Sequence, residues 1–150
     1  MRVVIQRVQH ASVSIEGTVK ASIGEGLLVL VGFESADTEQ DVDWMTRKVL
    51  GLRIFNDEKG VMNRSVVDVN GEIIIVSQFT LYAMTAKGNR PSYIRAARHE
   101  IAIPLYEYFI RQASIGLGRE VGSGQFGADM KIDLLNDGPV TICIDSRNRE

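Results

Sequence analysis

The sequence predicts one mixed α/β domain covering residues 1–150. Two observations carry this prediction. The continuous apolar run at residues 27–33 and the run Ile73–Val76 within residues 72–79 are typical of strands buried on both faces, and apolar residues from Val42 to Leu52 recur at helical spacing. Strands, helix, strand, helix and strands follow one another with no repeat or linker between them. A chain of 150 residues can bury its own core without disulfides or metals.

The first third of the chain has the pattern of strands joined by tight turns. Apolar and alternating segments predict strands at residues 3–8, 12–15, 19–23 and 27–33. A helix follows and continues to about Leu52. Asp37 or Thr38 is its predicted cap, with Gln40 or Asp41 three residues on in capping-box position.

The remaining elements are a buried strand, a loop, a helix and two closing strands. The strand at 72–79 leads into a loop at 83–95 that carries Lys87, Arg90 and Arg95. A helix is predicted over about 97–114, where Pro104 is tolerated only near the first turn. A glycine-rich connection then leads to the closing strands, which we expect at 131–135 and 140–144 around a turn at Asn136-Asp137-Gly138-Pro139.

Composition excludes several classes of protein. The single cysteine and two histidines give neither an internal disulfide nor the spacing of a zinc site, so we expect no metal. A net charge of −2 argues against wrapping long stretches of nucleic acid, but not against gripping the end of an RNA. No apolar stretch approaches the roughly 20 residues of a membrane span, and no signal-peptide layout is present. We therefore expect a cytoplasmic protein.

The usual catalytic constellations are missing. There is no nucleophile elbow, P-loop, dinucleotide fingerprint or H-E-x-x-H helix. His10, expected at a turn between strands, and His99, at a helix start, are interpreted as solvated surface residues. Cys143 lies within a closing strand and is interpreted as a buried, inert thiol. Triad-type nucleophilic catalysis is therefore disfavoured.

Two segments have features that are unusual for residues with a purely structural role. In residues 77–82 an apolar strand ends abruptly in polar side chains, at the kind of strand end where α/β proteins place ligands. The alternative is a strand that simply ends in a Ser/Thr turn. Residues 136–141 have the composition of a turn, and the alternative to a functional role is that they simply close a hairpin. X-Pro bonds such as that before Pro139 can also be cis.

These segments belong to a set of motifs that together resemble the D-aminoacyl-tRNA deacylase family, also called D-tyrosyl-tRNA deacylases. The two signature stretches are Ser77-Gln78-Phe79-Thr80-Leu81 and Asn136-Asp137-Gly138-Pro139-Val140-Thr141, about sixty residues apart. The further matching stretches are Ile5–Val8, Ala11–Val13, Gly26–Leu30, Arg53–Phe55, Met62-Asn63, Arg90–Ser92, Leu105-Tyr106 and Phe126–Met130. The resemblance covers nearly the whole chain.

The resemblance implies a three-layer β/β/α sandwich assembled as a homodimer, with no cofactor. Each active site would combine Ser77, Gln78, Phe79 and Thr80 of one subunit with Gly138 and Pro139 of the other. In the family the Gly-Pro bond is cis, and its carbonyls reject L-amino acids. Supporting roles fall to Arg7, which we expect to hold the Gly-Pro loop, and to Met130. The partner would be the aminoacylated 3′ end of tRNA.

The implied reaction is hydrolysis of the ester between a D-amino acid and tRNA, as proofreading in translation. Glycyl-tRNA formed on tRNA(Ala) would also be a substrate, because glycine lacks the side chain that is rejected. Main-chain N–H groups at Phe79 and Thr80, together with the 2′-hydroxyl of the tRNA, could supply catalysis. A nucleophilic Thr80 is the alternative, although no base is visible for it. A non-catalytic RNA-end binder or a DNA-associated factor is the competing class.

Overall fold

The sheet is assembled on one long strand, β1, Arg2–Ile15. In the computed structural model, which describes residues 1–150, β1 pairs antiparallel along one edge with β8, Met130–Asp145. Its other edge takes β3, Gly26–Gly32, beside residues 2–8 and β2, Thr18–Ile23, beside residues 11–15. The sheet therefore grows from β1 in both directions.

The sheet continues from β3 through parallel pairing. β6, Glu72–Ser77, lies parallel to β3, and the short β7, Gly122–Ser123, lies parallel to β6. A separate two-stranded ribbon is formed by β4, Phe55–Asn56, and β5, Met62–Arg64. The helices are α1, Glu39–Gly51, and α2, His99–Leu117, and a 3₁₀ turn covers Phe79–Tyr82.

Both faces of the central strands are buried, as their continuous apolar runs predict. In β3, Leu27, Val29 and Val31 belong to a core shared with the helices, whereas Leu28 belongs to a second core on the opposite face. β6 divides in the same way between alternate residues. The predicted mixed α/β class is confirmed. The second face of β3 and β6 is covered by other parts of the same sheet, namely β2, the second half of β1 and the first half of β8.

The two helices cover the first face. α1 has Thr38 as its N-cap, and Asp41 accepts the Thr38 N–H at 3.0 Å, which decides between the predicted caps. α2 begins two residues later than predicted and ends three later, at Leu117, before Gly118 in the left-handed region. Pro104 lies in its second turn, beyond the position we expected to tolerate it. Neither helix combines the length and the apolar content that crossing a bilayer requires.

Several predictions from local pattern are wrong. The strands predicted at 3–8 and 12–15 are one strand, so His10 lies within β1 and not at a turn, although it is exposed. The closing segments do not form a hairpin, since both belong to β8 and pair with β1. Cys143 is exposed, because alternate residues of β8 point away from the core.

The amino group of Met1 is buried in an ion pair. Its nitrogen lies 2.6 Å from Asp37 Oδ1 and 2.8 Å from Ser146 Oγ, and the Met1 and Asp37 side chains are both 0% exposed. Arg147 donates to the same Asp37 oxygen at 3.2 Å, and the Glu34 N–H donates to the other at 2.8 Å. This cluster ties β1 to the segment before α1 and to the residues after β8.

Replacing Asp37 with Asn should destabilise the fold by about 3 kcal/mol, because it removes the carboxylate that contacts the buried Met1 ammonium. Urea unfolding followed by circular dichroism measures the change as a lower midpoint with an unchanged slope. The control is Asp133→Asn, which removes the exposed partner of His10 and should cost less than about 1 kcal/mol. Equal midpoints for the two variants would contradict the importance of the buried pair.

Candidate active site

A cavity of about 790 Å³ opens where β6 ends. Residues from the ends of β3 and β6, the start of α2 and the segment before β8 line it. They include Ser77, Gln78, Phe79, Tyr93, Arg98, His99, Glu100, Phe126, Asp129 and Met130. The structure therefore brings together four of the predicted site residues: Ser77, Gln78, Phe79 and Met130.

The backbone at the mouth of the cavity turns sharply after β6. The Gln78 N–H still bonds to Val31 O at 2.7 Å, and the first bond of the 3₁₀ turn runs from Leu81 N–H to Gln78 O at 3.2 Å. The amides of Phe79 and Thr80 precede that bond and make no backbone hydrogen bond. Two N–H donors are thus left available beside the cavity.

A glycine permits this turn to lie close to β3. A Cβ atom on Gly32 would lie 2.8 Å from Gln78 O, closer than real Cβ atoms approach. The side chain of Gln78 donates through Nε2 to the Thr80 hydroxyl, so the two side chains brace the turn. No histidine, lysine or carboxylate is hydrogen bonded to Thr80.

The far end of the turn is held by Arg2. Its Nη1 donates to Leu81 O at 3.1 Å, its Nε bonds to Asp145 at 2.8 Å, and its guanidinium lies 4.7 Å from the ring centre of Tyr82. Tyr82 is buried, and its hydroxyl has no hydrogen-bond partner. Burial, reinforced by nearby carboxylates such as Asp37, raises the pKa of that hydroxyl. Tyr82 therefore stays neutral and serves as packing under the turn.

Phe126 forms part of the cavity wall and packs against a buried tyrosine behind it. The Tyr106 hydroxyl donates to Ile75 O at 2.8 Å, and burial raises its pKa to about 12. The Phe126 ring lies 6.0 Å from Tyr106 and 5.4 Å from His99, centre to centre. A neutral tyrosine thus packs behind Phe126 and is tied to the backbone of β6.

Local sequence patterns missed the residues that the start of α2 adds to the cavity. His99 is exposed, as expected, but with Arg98 and Glu100 it lines the same cavity as Ser77. No motif surrounds these residues, and only the packing of α2 against the sheet brings them there. Met130 could be anticipated, because it lies in one of the stretches that carry the family resemblance.

The Gly138-Pro139 segment forms a second, separate feature. Gln6 pairs with Thr141 and Val8 with Asn136, so four residues of β8 lie opposite the single residue Arg7. The extra residues bulge outward, with both Gly138 and Pro139 exposed. The peptide bond between them is cis, and Gly138 has a φ of +127°, which favours glycine.

Arg7 lies behind this bulge and is only 7% exposed. Its Nε donates to Asp137 O at 3.1 Å, and its Nη1 donates to Ile54 O at 2.6 Å. A Cβ atom on Gly138 would lie 3.0 Å from Arg7 Nη2. On the other side, the Asn136 side chain accepts the Val140 N–H at 2.9 Å and closes the bulge.

Within one chain the bulge lies outside the cavity. The first residues of β8, including Met130 and Ile132, line the cavity, whereas Gly138 and Pro139 lie further along the same strand. Arg7, Gly138 and Pro139 are not among the residues that line the cavity, and Thr80 adjoins it through Gln78. No cluster of three or more His, Cys, Asp or Glu side chains able to hold a metal is present.

Comparison with known proteins finds close relatives. The family described as D-Tyr-tRNA(Tyr) deacylase matches residues 4–145. A protein named D-aminoacyl-tRNA deacylase from Phocaeicola vulgatus is 65% identical, and one from Bacteroides thetaiotaomicron is 61% identical, each over 100% of both chains. A solved structure described as c-Myc DNA Unwinding Element Binding Protein is 41% identical, with a TM-score of 0.91 over 97% of this chain and 98% of that one.

A second solved structure, described as a probable eukaryotic D-amino acid tRNA deacylase, has a TM-score of 0.83 over 95% of this chain and 97% of that one. At 18% identity this likeness concerns the fold alone. The family match includes both signature stretches, and the resemblance inferred from them is confirmed. This chain belongs to the D-Tyr-tRNA(Tyr) deacylase family.

Proposed function

We propose that this chain hydrolyses the ester of D-aminoacyl-tRNA, releasing the D-amino acid and tRNA, and that it works as a homodimer. Membership of the deacylase family supports the reaction class. The observation that carries the mechanism is the pair of free amides at Phe79 and Thr80, beside a cavity open to solvent. Ester hydrolysis needs hydrogen-bond donors beside the carbonyl oxygen, where negative charge develops in the transition state, and these amides are donors of that kind.

The chemistry needs few side chains, because an aminoacyl ester is already activated. Water attacks the carbonyl carbon, the carbonyl oxygen becomes an oxyanion, and the bond to the ribose oxygen breaks as that oxygen takes a proton. The amides of Phe79 and Thr80 would donate to the oxyanion, and one such donor is typically worth ~10²–10³ in rate. The neighbouring 2′-hydroxyl of the substrate would assist the departing oxygen.

Chiral selection is assigned to Gly138 and Pro139 of the partner subunit. Two features support this assignment: the bulge is exposed, and neither Gly138 nor Pro139 lines the cavity of its own chain. Arg7 would hold the bulge rigid through Asp137 O, since charge-assisted hydrogen bonds are the stronger ones. An L side chain would collide with the carbonyls of Gly138 and Pro139, whereas a D side chain points away.

Glycine has no side chain to collide, so glycyl-tRNA formed on tRNA(Ala) is proposed as a further substrate. The supporting role of Met130 is to shape the cavity wall, where its sulfur lies close to Gly124. A Cβ atom on Gly124 would lie 2.4 Å from that sulfur, so a larger residue there would displace the Met130 side chain. The hydrolysis rate should depend little on which D-amino acid is esterified, because its side chain points away from the Gly138 and Pro139 carbonyls.

A DNA-binding role is the second candidate, because the relative described as a DNA unwinding element binding protein shares 41% of its sequence with this chain. The net charge of −2 opposes it, since duplex binding depends on neutralising many phosphates. We therefore favour the hydrolase.

The first prediction concerns the Thr80 hydroxyl. Thr80→Ala keeps the N–H and should reduce the deacylation rate only about tenfold, equivalent to ~1.4 kcal/mol. A substrate with a 2′-deoxy terminal adenosine should react far more slowly, because the neighbouring hydroxyl is gone. Single-turnover release of D-[³H]tyrosine measures both rates. If Thr80→Ala abolished turnover while the 2′-deoxy substrate was cleaved well, Thr80 would be the nucleophile.

The second prediction concerns chirality. The purified protein should hydrolyse D-tyrosyl-tRNA and glycyl-tRNA, and leave L-tyrosyl-tRNA at its spontaneous rate, because the Gly138-Pro139 carbonyls exclude only the L side chain. Acid precipitation of charged tRNA over time gives the three rates side by side. Comparable hydrolysis of the D and L esters would remove the basis for selection by exclusion.

The third prediction tests shared sites. Phe79→Pro removes one amide donor, Phe79→Ala is its control with the amide retained, and Gly138→Val blocks the bulge. Phe79→Pro and Gly138→Val should each be inactive alone. When the two are unfolded together and refolded at equal amounts, about a quarter of the sites should be fully wild-type, because half of the dimers are mixed and each has one intact site.

Recovery of about a quarter of wild-type activity would support cross-subunit sites, and no recovery from a mixture shown to contain mixed dimers would contradict them. Analytical ultracentrifugation provides the independent check. A fully active species at the mass of one chain, 16.6 kDa, would also rule out a composite site.

A further inference from the structure

The chain carries a concentrated positive segment beside the cavity, which we call the basic arm, residues 83–98. It contains four cationic side chains, Lys87, Arg90, Arg95 and Arg98. None of the 19 acidic residues of the chain lies in it. A protein with a net charge of −2 thus presents a local surplus of four positive charges in sixteen residues.

The arm is a shaped structure and not a loose loop. Met84 and Ser92 form an antiparallel bridge, with N–H to O distances of 2.8 and 3.0 Å in the two directions. This closes residues 85–91 into a tip that projects Lys87 and Arg90 into solvent. At the base, the Ala97 N–H bonds to Phe33 O at 2.8 Å. The cations of the tip therefore have a defined position relative to the sheet.

Most of the charge on the arm is unpaired within the chain. Arg95 lies 3.3 Å from Glu34 and is used to fasten the base. Lys87, Arg90 and Arg98 make no ion pair within the chain. Clustered like charges without counter-charges repel one another, and an anionic partner relieves that repulsion.

The arm also adjoins the proposed active site. Tyr93, Ala96, Ala97 and Arg98 line the cavity, and the Tyr93 ring packs edge-on against Phe79 with centres 5.0 Å apart. Elsewhere, the lining includes the carboxylates of Glu100 and Asp129. Asp129 is paired with Lys131 at 2.9 Å, but Glu100 has no ion-pair partner. A polyanion whose end occupies the cavity would be repelled by Glu100 and attracted along the arm.

We propose that the basic arm binds the sugar-phosphate backbone of the tRNA acceptor end as it leaves the cavity, with Lys87 and Arg90 as the phosphate contacts. This inference rests on the proposed function and adds the surface that holds the body of the substrate. The arm acts on tRNA binding and not on the bond that breaks. It gives the enzyme affinity for RNA that the overall charge of the chain would deny it.

The test uses the double variant Lys87→Gln/Arg90→Gln, since neither residue lines the cavity. The matched control is Arg47→Gln/Lys48→Gln, which removes two exposed cations from α1. A third variant, Lys87→Arg/Arg90→Lys, keeps both charges. Each is assayed with D-tyrosyl-tRNA and with the small ester 3′-O-(D-tyrosyl)adenosine, at 50–200 mM KCl.

For the tip variant, KM for D-tyrosyl-tRNA should rise about tenfold at low salt, and the slope of log KM against log salt should fall by about 1 to 2. Its kcat, and kcat/KM for the small ester, should stay within about twofold of wild type because the arm contacts only the backbone. The control and charge-conserving variants should match the wild type with both substrates.

Binding of uncharged tRNA, followed by fluorescence anisotropy, separates this inference from the proposed function. A wild-type protein that binds tRNA through the arm but cleaves neither ester would contradict the function and support the arm. Unchanged tRNA affinity and salt slope in the tip variant would overturn the arm. Equal losses with both substrates would also overturn it, because the tip would then be shaping the cavity.

Discussion

The pairing of β1 with β8 is the constraint on which the rest of the structure depends. Relative to β8, β1 has one extra residue, Gln9, which forms a small bulge of its own between Val8 and His10. The face of the sheet to which the odd-numbered side chains of β1 point therefore reverses there. Before the bulge Val3 and Ile5 face the helices, and after it Ala11 and Val13 face the second core. One strand thereby supplies both cores.

The same pairing places Arg7. As the residue opposite the outward bulge of β8, Arg7 shares the parity of Val3 and Ile5, so its side chain is directed inward. A buried guanidinium must have acceptors, and the carbonyls of Asp137 and Ile54 supply them. The position of the Gly138 bulge is therefore fixed by hydrogen bonding to a core residue and not by its own turn sequence.

The sequence predicts an element well where its local pattern of apolar residues reflects how it is buried. The buried runs of β3 and β6 and the apolar stripe of α1 are found within a few residues of their expected limits. The strand with which each element pairs is not predicted in this way. The residues from Asn136 to Pro139 have the chemistry of a hairpin turn, but nothing local reveals that both flanking segments pair with β1.

The candidate site shows the same division. Strand-end polarity singled out residues 77–82, of which Ser77 to Phe79 line the cavity, whereas the contribution of Arg98 and His99 depends on how α2 docks and leaves no trace in local sequence. Exposure of Cys143 was missed because an alternating strand and a buried one differ only in what covers the outer face. In the proposed mechanism the groups that stabilise the transition state are main-chain amides, which almost every residue possesses. Such a site is recognisable by turn geometry and family motif, not by reactive side-chain types.

The β1–β8 pairing also determines the order in which the chain can fold. Arg2 and Asp145, hydrogen bonded side by side, are separated by 143 positions, so these contacts have a high sequence separation and form late. During synthesis at about 5–20 residues per second, β1 waits with one edge of fourteen residues unpaired until the last strand emerges. An open edge of that length can pair with other chains. Until β8 closes the sheet, this edge of β1 is therefore open to pairing with other chains.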